Sequence, residues 1–271
     1  MLPTLSNASL QAFELSPSCP GRPQTSRDDG PRPSLASVWQ REFATKIPKG
    51  MVQPAGGKGE IFGSKMIKPS MISSNILAEP YKGEKAPLPL SSWMTPSGWG
   101  LRWGRWKDSW KSMYSLSKLK KNVKAWDLRR FKMEALDMYK ETNTALAAGD
   151  LSELRSRATP PIFSDMKKQI KQRQKAGWSS VDWELVEEPE LRNLELVQAR
   201  VIAADQKDDE TAFVQLTVKI PSRQRFTAYD KDGKIVAGGG EPVSVVDHWV
   251  LELPLAKKSR QRYRLAARLD V

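Results

Sequence analysis

The segment 125–173 places the strongest constraint on how this chain can fold. Apolar side chains recur along its first half at three- and four-residue steps, the stripe of an amphipathic helix with one buried face: Leu128, Phe131, Ala135, Met138, Tyr139 and Leu146. Gly149 is expected to end this helix, because glycine readily takes the left-handed conformation found at helix C-termini. The stripe has to cover an apolar surface elsewhere in the chain.

Two shorter helices are predicted to follow Gly149. Asp150 is expected to cap the first, 151–158, with Glu153 as its capping-box partner. The proline pair 160–161 ends that helix and suits the first turn of the next one, 162–174. The sequence therefore predicts a helical hairpin with clear boundaries.

Beyond Gly177 the hydrophobic period changes from helical to alternating, as in half-buried strands. Strands are predicted at 179–188, 194–204 (with a bulge), 212–220, 226–229, 243–253 and 263–269. The turn 230–233 ends in Asp-Gly, which is typical of a hairpin. Helices followed by strands predict an α+β fold, with the helical hairpin packed on a bent antiparallel sheet.

Charge and composition narrow the class of function. The net charge of +13 and pI near 9.8 predict an anionic partner, either nucleic acid or anionic lipid. One cysteine, Cys19, and one histidine exclude a disulfide framework and a Cys- or His-rich metal site, and they argue against a His-based triad, so no metal or cofactor is predicted. No apolar run reaches the ~18 residues that a transmembrane helix needs.

The first 98 residues divide into two predicted segments. Residues 1–43 are rich in Ser, Pro and Arg and end in WQREFATK, which resembles a mitochondrial presequence cleavage site; a plain disordered tail is the alternative. Residues 44–98 form an extended Pro/Gly-rich arm. This arm is either a flexible connector or a segment that becomes ordered along a partner's groove.

The segment 99–124 is dominated by Trp, Lys and Arg. The spacing of Trp99, Trp103, Trp106 and Trp110 lets one helical face present all four rings. These rings would pack on the core, lie in a membrane interface, or stack on unpaired RNA bases. Residues 102–124 contain eight basic residues and one acid, Asp108. This excess of positive charge favours an anionic partner, whether membrane lipid or RNA.

The residues predicted to contact RNA or membrane form two basic groups. The first lies in this segment and the second on the third predicted helix, where a merely solvated face is the alternative. They are Arg102, Trp103, Arg105, Trp106, Lys107, Lys111, Lys118, Lys120, Lys121 and Lys124, and then Lys167, Lys168, Lys171 and Arg173.

Catalytic candidates are few. Asp182, Asp247 and His248 are the acid/base groups that a pocket of this sheet could gather. Neighbouring strand residues face opposite sides, so Asp247 and His248 cannot share one cavity. Asp247 is expected to be an edge or surface charge, and His248 to be solvated or bonded to the backbone. No enzymatic activity is predicted.

The segment 139–159, YKETNTALAAGDLSELRSRAT, and the later segments DHWVLEL and YRLAARL carry a family resemblance. Over residues 122–271 the chain resembles the superfamily of the C-terminal domain of the mitochondrial import-motor tether. That resemblance implies that residues 125–271 form a cone-shaped α+β domain, similar to the nuclear-transport-factor fold. It also implies docking at the matrix face of the inner membrane, without catalytic residues.

Among members of this superfamily, the import-motor tether would imply a long charged helical arm, whereas the basic arm here is more like that of a ribosomal member. The resemblance therefore implies a structural protein of the mitochondrial large ribosomal subunit in the matrix, peripheral to the inner membrane. Its expected partners are rRNA and ribosomal proteins near the polypeptide exit, and the membrane surface or an insertase during co-translational insertion. An import-motor or insertion-machinery adaptor is the second hypothesis, and a cone-fold enzyme the third.

Overall fold

The computed structural model describes residues 73–203, 211–256 and 261–271, together with the backbone of 52–53. The predicted presequence and the arm up to residue 72 otherwise lie outside the described residues. The helices are α1 (Pro96–Asn122), α2 (Leu128–Ala148), α3 (Leu151–Arg157) and α4 (Pro160–Lys175), preceded by a 3-10 turn (Leu90–Met94). The strands are β1 (Val52–Gln53), β2 (Leu77–Ala78), β3 (Ser180–Glu187), β4 (Glu195–Ile202), β5 (Phe213–Tyr229), β6 (Ile235–Gly238), β7 (Val243–Pro254) and β8 (Arg264–Leu269).

Strands β3 to β8 form one antiparallel sheet, and β5 is its longest member. Along one edge β5 pairs with β4 and then with β3, and along the other with β7 and then with β6. β8 pairs with β7, and β1 pairs separately with β2 in parallel. The α+β fold with an antiparallel sheet is confirmed, as is the bulge in β4, between Leu196 and Gln198.

The two predicted strands 212–220 and 226–229 are a single strand. β5 continues through Pro221, and its side chains keep alternating between the two faces of the sheet. The prediction of two strands was wrong because the inward positions Ser222 and Gln224 are polar. They interrupt the apolar pattern, although both side chains are buried and hydrogen-bonded in the interior.

Helix α2 covers the inner face of the sheet. Its stripe of Phe131, Ala135, Tyr139 and Leu146 is buried in one core with the inward residues of β5, β7 and β8. The helix ends where predicted, since Gly149 has φ of 73° and its N–H donates to the carbonyl of Ala145. The sequence pattern therefore identified the main packing surface of the domain, except that Leu128, predicted to be in the stripe, is 40% exposed.

The capping box predicted at the start of α3 forms only in part. Asp150 accepts hydrogen bonds from the N–H groups of Ser152 and Glu153, as expected of an N-cap. The Glu153 carboxylate pairs with Arg157 instead, and the Asp150 N–H donates to Ala145. The tight turn after Gly149 already satisfies that N–H, so Glu153 is available for the ion pair.

Residues 73–86, here called the strap, lie on the outer face of the sheet, away from α2. The Glu252 carboxylate accepts hydrogen bonds from Ser73 Oγ at 2.7 Å and from Ser74 N at 3.0 Å. Gln215 bonds the strap backbone on both sides, accepting from Ala78 N and donating to the carbonyl of Ile76. The described part of the arm is therefore ordered against the chain's own sheet, not as a free connector.

His248 lies beneath this strap. Its ring is buried and stacks on Tyr81, with ring centroids 5.5 Å apart. The expectation of a solvated or backbone-bonded histidine was wrong, because the outer face that His248 occupies is covered. Burial lowers the pKa of His248, and the charge of neighbouring Lys219 lowers it further, against the opposite effect of Glu84.

We expect the strap to make stability depend on pH through His248. The folded-state pKa lies below the unfolded value of 6.5, so the stabilising effect is fully present above pH 6.5. It is lost as the pH falls from there through the folded pKa, by at most ~1.4 kcal/mol per pH unit for one group. Urea unfolding at several pH values should show this slope, and His248→Phe should flatten it. An unchanged slope in that variant would assign the dependence to other groups.

Candidate partner-binding surface

Helix α1 has one face on the domain and one face away from it. Ser115 and Leu119 are buried on the inner face, and Leu119 joins the main core. Ser112 Oγ accepts a hydrogen bond of 2.8 Å from Arg200 on β4. A Cβ on Gly98 would lie 2.0 Å from the carbonyl oxygen of Ser92, so glycine permits the close approach of the 3-10 turn. These contacts fix which face of α1 points outwards.

The outward face carries the tryptophan ladder, defined as Trp99, Trp103, Trp106 and Trp110. Each of these side chains is 52–55% exposed. Trp106 contacts its neighbours Trp103 and Trp110 with ring centroids 5.0 and 5.4 Å apart. The prediction that one helical face presents all four rings is confirmed, and the explanation that they pack on the core was wrong.

Three cations predicted to contact a partner instead hold the strap and the 3-10 turn. Arg102 stacks 4.0 Å from the ring of Trp93 and donates to Ser92 Oγ. Arg105 donates to the carbonyl of Ala86, and Lys111 pairs with Glu79. The ladder is therefore less cationic than the sequence of α1 indicates.

The other predicted cations of this segment are exposed, except Lys118, which is half-buried. Lys107 lies 5.6 Å from the ring centroid of Trp103, at the side of the ladder. Lys118 lies 5.9 Å from Tyr114, and Lys120 lies 6.0 Å from Trp126. Lys120, Lys121 and Lys124 are exposed near the C-terminal end of α1. They form one short positively charged group.

One of the four residues predicted for the second basic patch does not lie on the surface. Lys167, Lys168 and Lys171 are exposed on α4, and Lys168 pairs with Asp165 at 3.1 Å. Arg173 is only 6% exposed, and its Nη1 donates to the carbonyl of Leu146. Including Arg173 in a surface patch was wrong, because it continues the inward stripe of Met166 and Ile170 at helical spacing.

A polar cluster lies between α2 and the sheet. The hydroxyl of Tyr139 donates to Asp247 Oδ2, and Gln224 Nε2 donates to the same oxygen at 3.2 Å. Trp183 Nε1 donates to Gln224 Oε1 at 2.7 Å. Burial raises the pKa of Asp247, and also raises the pKa of Tyr139 well above its usual value. Asp247, which was expected to be an edge or surface charge, is half-buried, and its Oδ2 faces these polar partners.

The three candidate acid/base residues do not meet. Asp247 faces the interior, His248 lies under the strap, and Asp182 is exposed on β3. Over the described ranges there is also no cluster of His, Cys, Asp or Glu suited to holding a metal ion. In the same ranges no helix combines the length and apolarity needed to cross a bilayer.

Comparison with known proteins shows which family and which relatives this chain resembles. The Tim44-like domain matches residues 112–269, from the middle of α1 to the end of β8. Relatives called large ribosomal subunit protein mL45 are 27% identical in Bos taurus over 164 residues and 24% identical in Xenopus tropicalis over 174 residues. These alignments cover 60% and 64% of this chain, and 50% and 53% of the relatives.

A third relative of the same name, from Drosophila melanogaster, is 25% identical over 128 residues, which is 47% of this chain and 33% of that protein. The alignments thus span about half the length of the first two relatives and less of the third. The Tim44-like match covers more than half of this sequence and coincides with the hairpin and sheet. The chain belongs to the Tim44-like domain family.

Proposed function

We propose that the chain is a structural protein of the mitochondrial large ribosomal subunit, located in the matrix at the inner membrane. In this role it binds rRNA and neighbouring ribosomal proteins near the polypeptide exit, and it helps to hold the ribosome at the membrane during co-translational insertion. The names of its relatives support the ribosomal assignment. The observation that carries the membrane contact is the exposed tryptophan ladder of α1.

The ladder has the chemistry of a membrane-interface surface. Indole rings favour the headgroup region, where their apolar bodies are buried and their N–H groups stay hydrated. Met113 and Tyr114 extend the exposed apolar face, and Lys107 lies at its side. Because Arg102, Arg105 and Lys111 point to the strap and the 3-10 turn, the outward face is dominated by rings. That balance favours lipid over RNA for the ladder.

The exposed lysines supply the complementary RNA-binding surface. Lys120, Lys121 and Lys124 extend beyond the ladder, and Lys167, Lys168 and Lys171 form the patch on α4. Ammonium groups that meet a phosphate backbone release condensed counterions, which gives binding without sequence preference and with strong salt dependence. Such binding suits a protein that is positioned on folded rRNA.

Sedimentation tests the ribosomal assignment. In a mitochondrial lysate at moderate salt we expect the protein to co-sediment with the large ribosomal subunit, and nuclease digestion of rRNA should release it. Recovery of the whole protein in the free fraction, apart from the subunit, would reject the assignment.

Two matched triple variants separate the lipid surface from the RNA surface. We expect Trp103→Ala, Trp106→Ala and Trp110→Ala together to lower the affinity for phosphatidylcholine/phosphatidylglycerol vesicles on the order of a hundredfold, because three rings no longer bury apolar area. Flotation of the full chain with these vesicles measures the loss. Binding to large-subunit rRNA should stay within about twofold, because phosphate contacts dominate that affinity.

The control variant is Lys167→Gln, Lys168→Gln and Lys171→Gln together, which should weaken binding to rRNA and leave binding to vesicles intact. We expect it to reduce the slope of log affinity against log salt for rRNA by about two, and to leave ladder-dependent flotation in place. If the tryptophan variant lost rRNA binding and kept vesicle binding, the ladder would be a base-stacking surface. The assignment of the two surfaces would then be reversed.

An adaptor of the import motor or of the insertion machinery is the second candidate, and membership of the Tim44-like domain family favours it. This function predicts co-purification with translocase or insertase subunits that survives nuclease treatment. Association that disappears on nuclease treatment would support the ribosomal function instead.

A further inference from the structure

One arginine in the interior has an unmet requirement for hydrogen-bond acceptors. Arg268 on β8 is 4% exposed, and within the described residues neither its Nε nor its Nη2 has a hydrogen-bond partner. Its guanidinium lies 5.8 Å from the ring centroid of Trp249, on the inner side of the sheet. A buried charge without acceptors is costly, so a stable interior needs a group that supplies them.

Neighbouring residues do not supply those acceptors directly. Asp247 is the carboxylate that acts electrostatically on Arg268, yet the two form no ion pair within the described ranges, and Asp247 Oδ2 already accepts from Tyr139 and Gln224. Burial lowers the pKa of Arg268 to about 10, with charge repulsion from Arg173 in the same direction and the charge of Asp247 opposing both. Two guanidinium groups are thus gathered in one buried region.

A third donor faces the same interior. Thr142 is fully buried on α2, three residues after Tyr139 and therefore on the same helix face. Among the described residues its Oγ1 has no hydrogen-bond partner. Tyr139 packs 4.8 Å from Trp249, the ring that Arg268 also approaches, so the face of α2 that carries Thr142 is directed towards the interior between α2 and the sheet.

We propose that this interior region is a binding site for a small oxyanion of the phosphate or carboxylate class, held by Arg268 with Arg173 and Thr142 beside it. A guanidinium presents its N–H donors in a planar fork that matches two oxygens of such an anion. The anion would accept from Nε and Nη2 of Arg268 and offset the repulsion between the two arginines. Trp249 forms an apolar wall that excludes competing water.

Calorimetric titration of the full chain with inorganic phosphate, and separately with acetate, tests the site at ionic strength held constant with chloride. We expect one of the two anions to bind with a one-to-one stoichiometry and to raise the thermal unfolding midpoint by about 3 °C near saturation. The two arms distinguish a phosphate site from a carboxylate site. Failure of both anions to bind would overturn the proposal and leave water as the occupant.

Arg268→Met and Arg129→Met are the matched variants. Both remove one positive charge, but Arg129 is exposed on α2, away from the interior. We expect Arg268→Met to abolish the anion response and, without anion, to unfold at or above the wild-type midpoint, because an uncompensated buried charge is gone. Arg129→Met should keep the response. Retained binding in Arg268→Met, or a lower midpoint in anion-free buffer, would contradict the site.

Discussion

Replacing Trp249 by alanine is expected to lower the free energy of unfolding by about 3–5 kcal/mol. Trp249 is 1% exposed and is among the largest fully buried side chains of the domain. Its ring packs on Tyr139 of α2, and it pairs across the sheet with Val218 and Arg268. Alanine would leave a cavity where the helical hairpin meets the sheet, and close-packed surroundings fill such a cavity only in part.

Urea unfolding followed by circular dichroism measures this loss. The control is Trp106→Ala, which deletes the same side chain from the exposed ladder and should change stability by less than about 1 kcal/mol. Domains of ordinary stability have ~5–15 kcal/mol in total, so Trp249→Ala should remove at least about a fifth of it. Equal losses in the free energy of unfolding of the two variants would mean that Trp249 contributes no more to stability than an exposed tryptophan does.

Glu79→Ala is expected to cost about 2–4 kcal/mol and to release the strap from α1 and β4. The Glu79 carboxylate pairs with Arg200 at 2.9 Å and with Lys111 at 2.5 Å. Burial alone would raise the pKa of Glu79, but the hydrogen bonds from Lys111 and Arg200 outweigh it and hold the pKa below its usual value. Arg200 is itself buried, so losing the Glu79 carboxylate leaves this cation with only the longer pair to Asp108, at 3.6 Å.

The matched control for Glu79→Ala is Glu84→Ala, on the same strap. Glu84 pairs with Lys219 but its side chain is 69% exposed, and such surface pairs contribute little to stability. Hydrogen exchange at the amide of Ala78 reports strap release, because that N–H donates to Gln215. Fast exchange in Glu79→Ala with slow exchange in Glu84→Ala is the expected pattern. Slow exchange in both would show that the ion pairs of Glu79 are not needed to hold the strap on the sheet.

Elements organised by local pattern could be predicted from the sequence. The stripe of α2, its end at Gly149 and the cap at Asp150 depend on neighbours within a few residues, so spacing alone identifies them. The same holds for the single face of the tryptophan ladder. Where an inward position is apolar, the sequence shows directly that it belongs to the core.

Polar residues that are buried through distant partners were the main failures. Ser222 and Gln224, which are buried, and Asp247, which is half-buried, resemble surface residues until Tyr139 is placed against them. Arg173 lies in the apolar stripe of α4 at the correct helical spacing. Because the residue is charged, it was assigned to the surface in spite of that spacing. The strap carries no periodicity, because its sheet contacts use backbone groups and side chains that are remote in the sequence.

The large sequence separation between the strap and its partners on the sheet determines when these contacts form during synthesis. The strap leaves the ribosome early, yet its carboxylate anchor Glu252 lies 179 residues after Ser73. Contacts of such long range close late, since the loop entropy has to be overcome first. Until β7 is made, Ser73 and Ser74 lack this acceptor, so the strap is fixed to the sheet only after β7 has been synthesised.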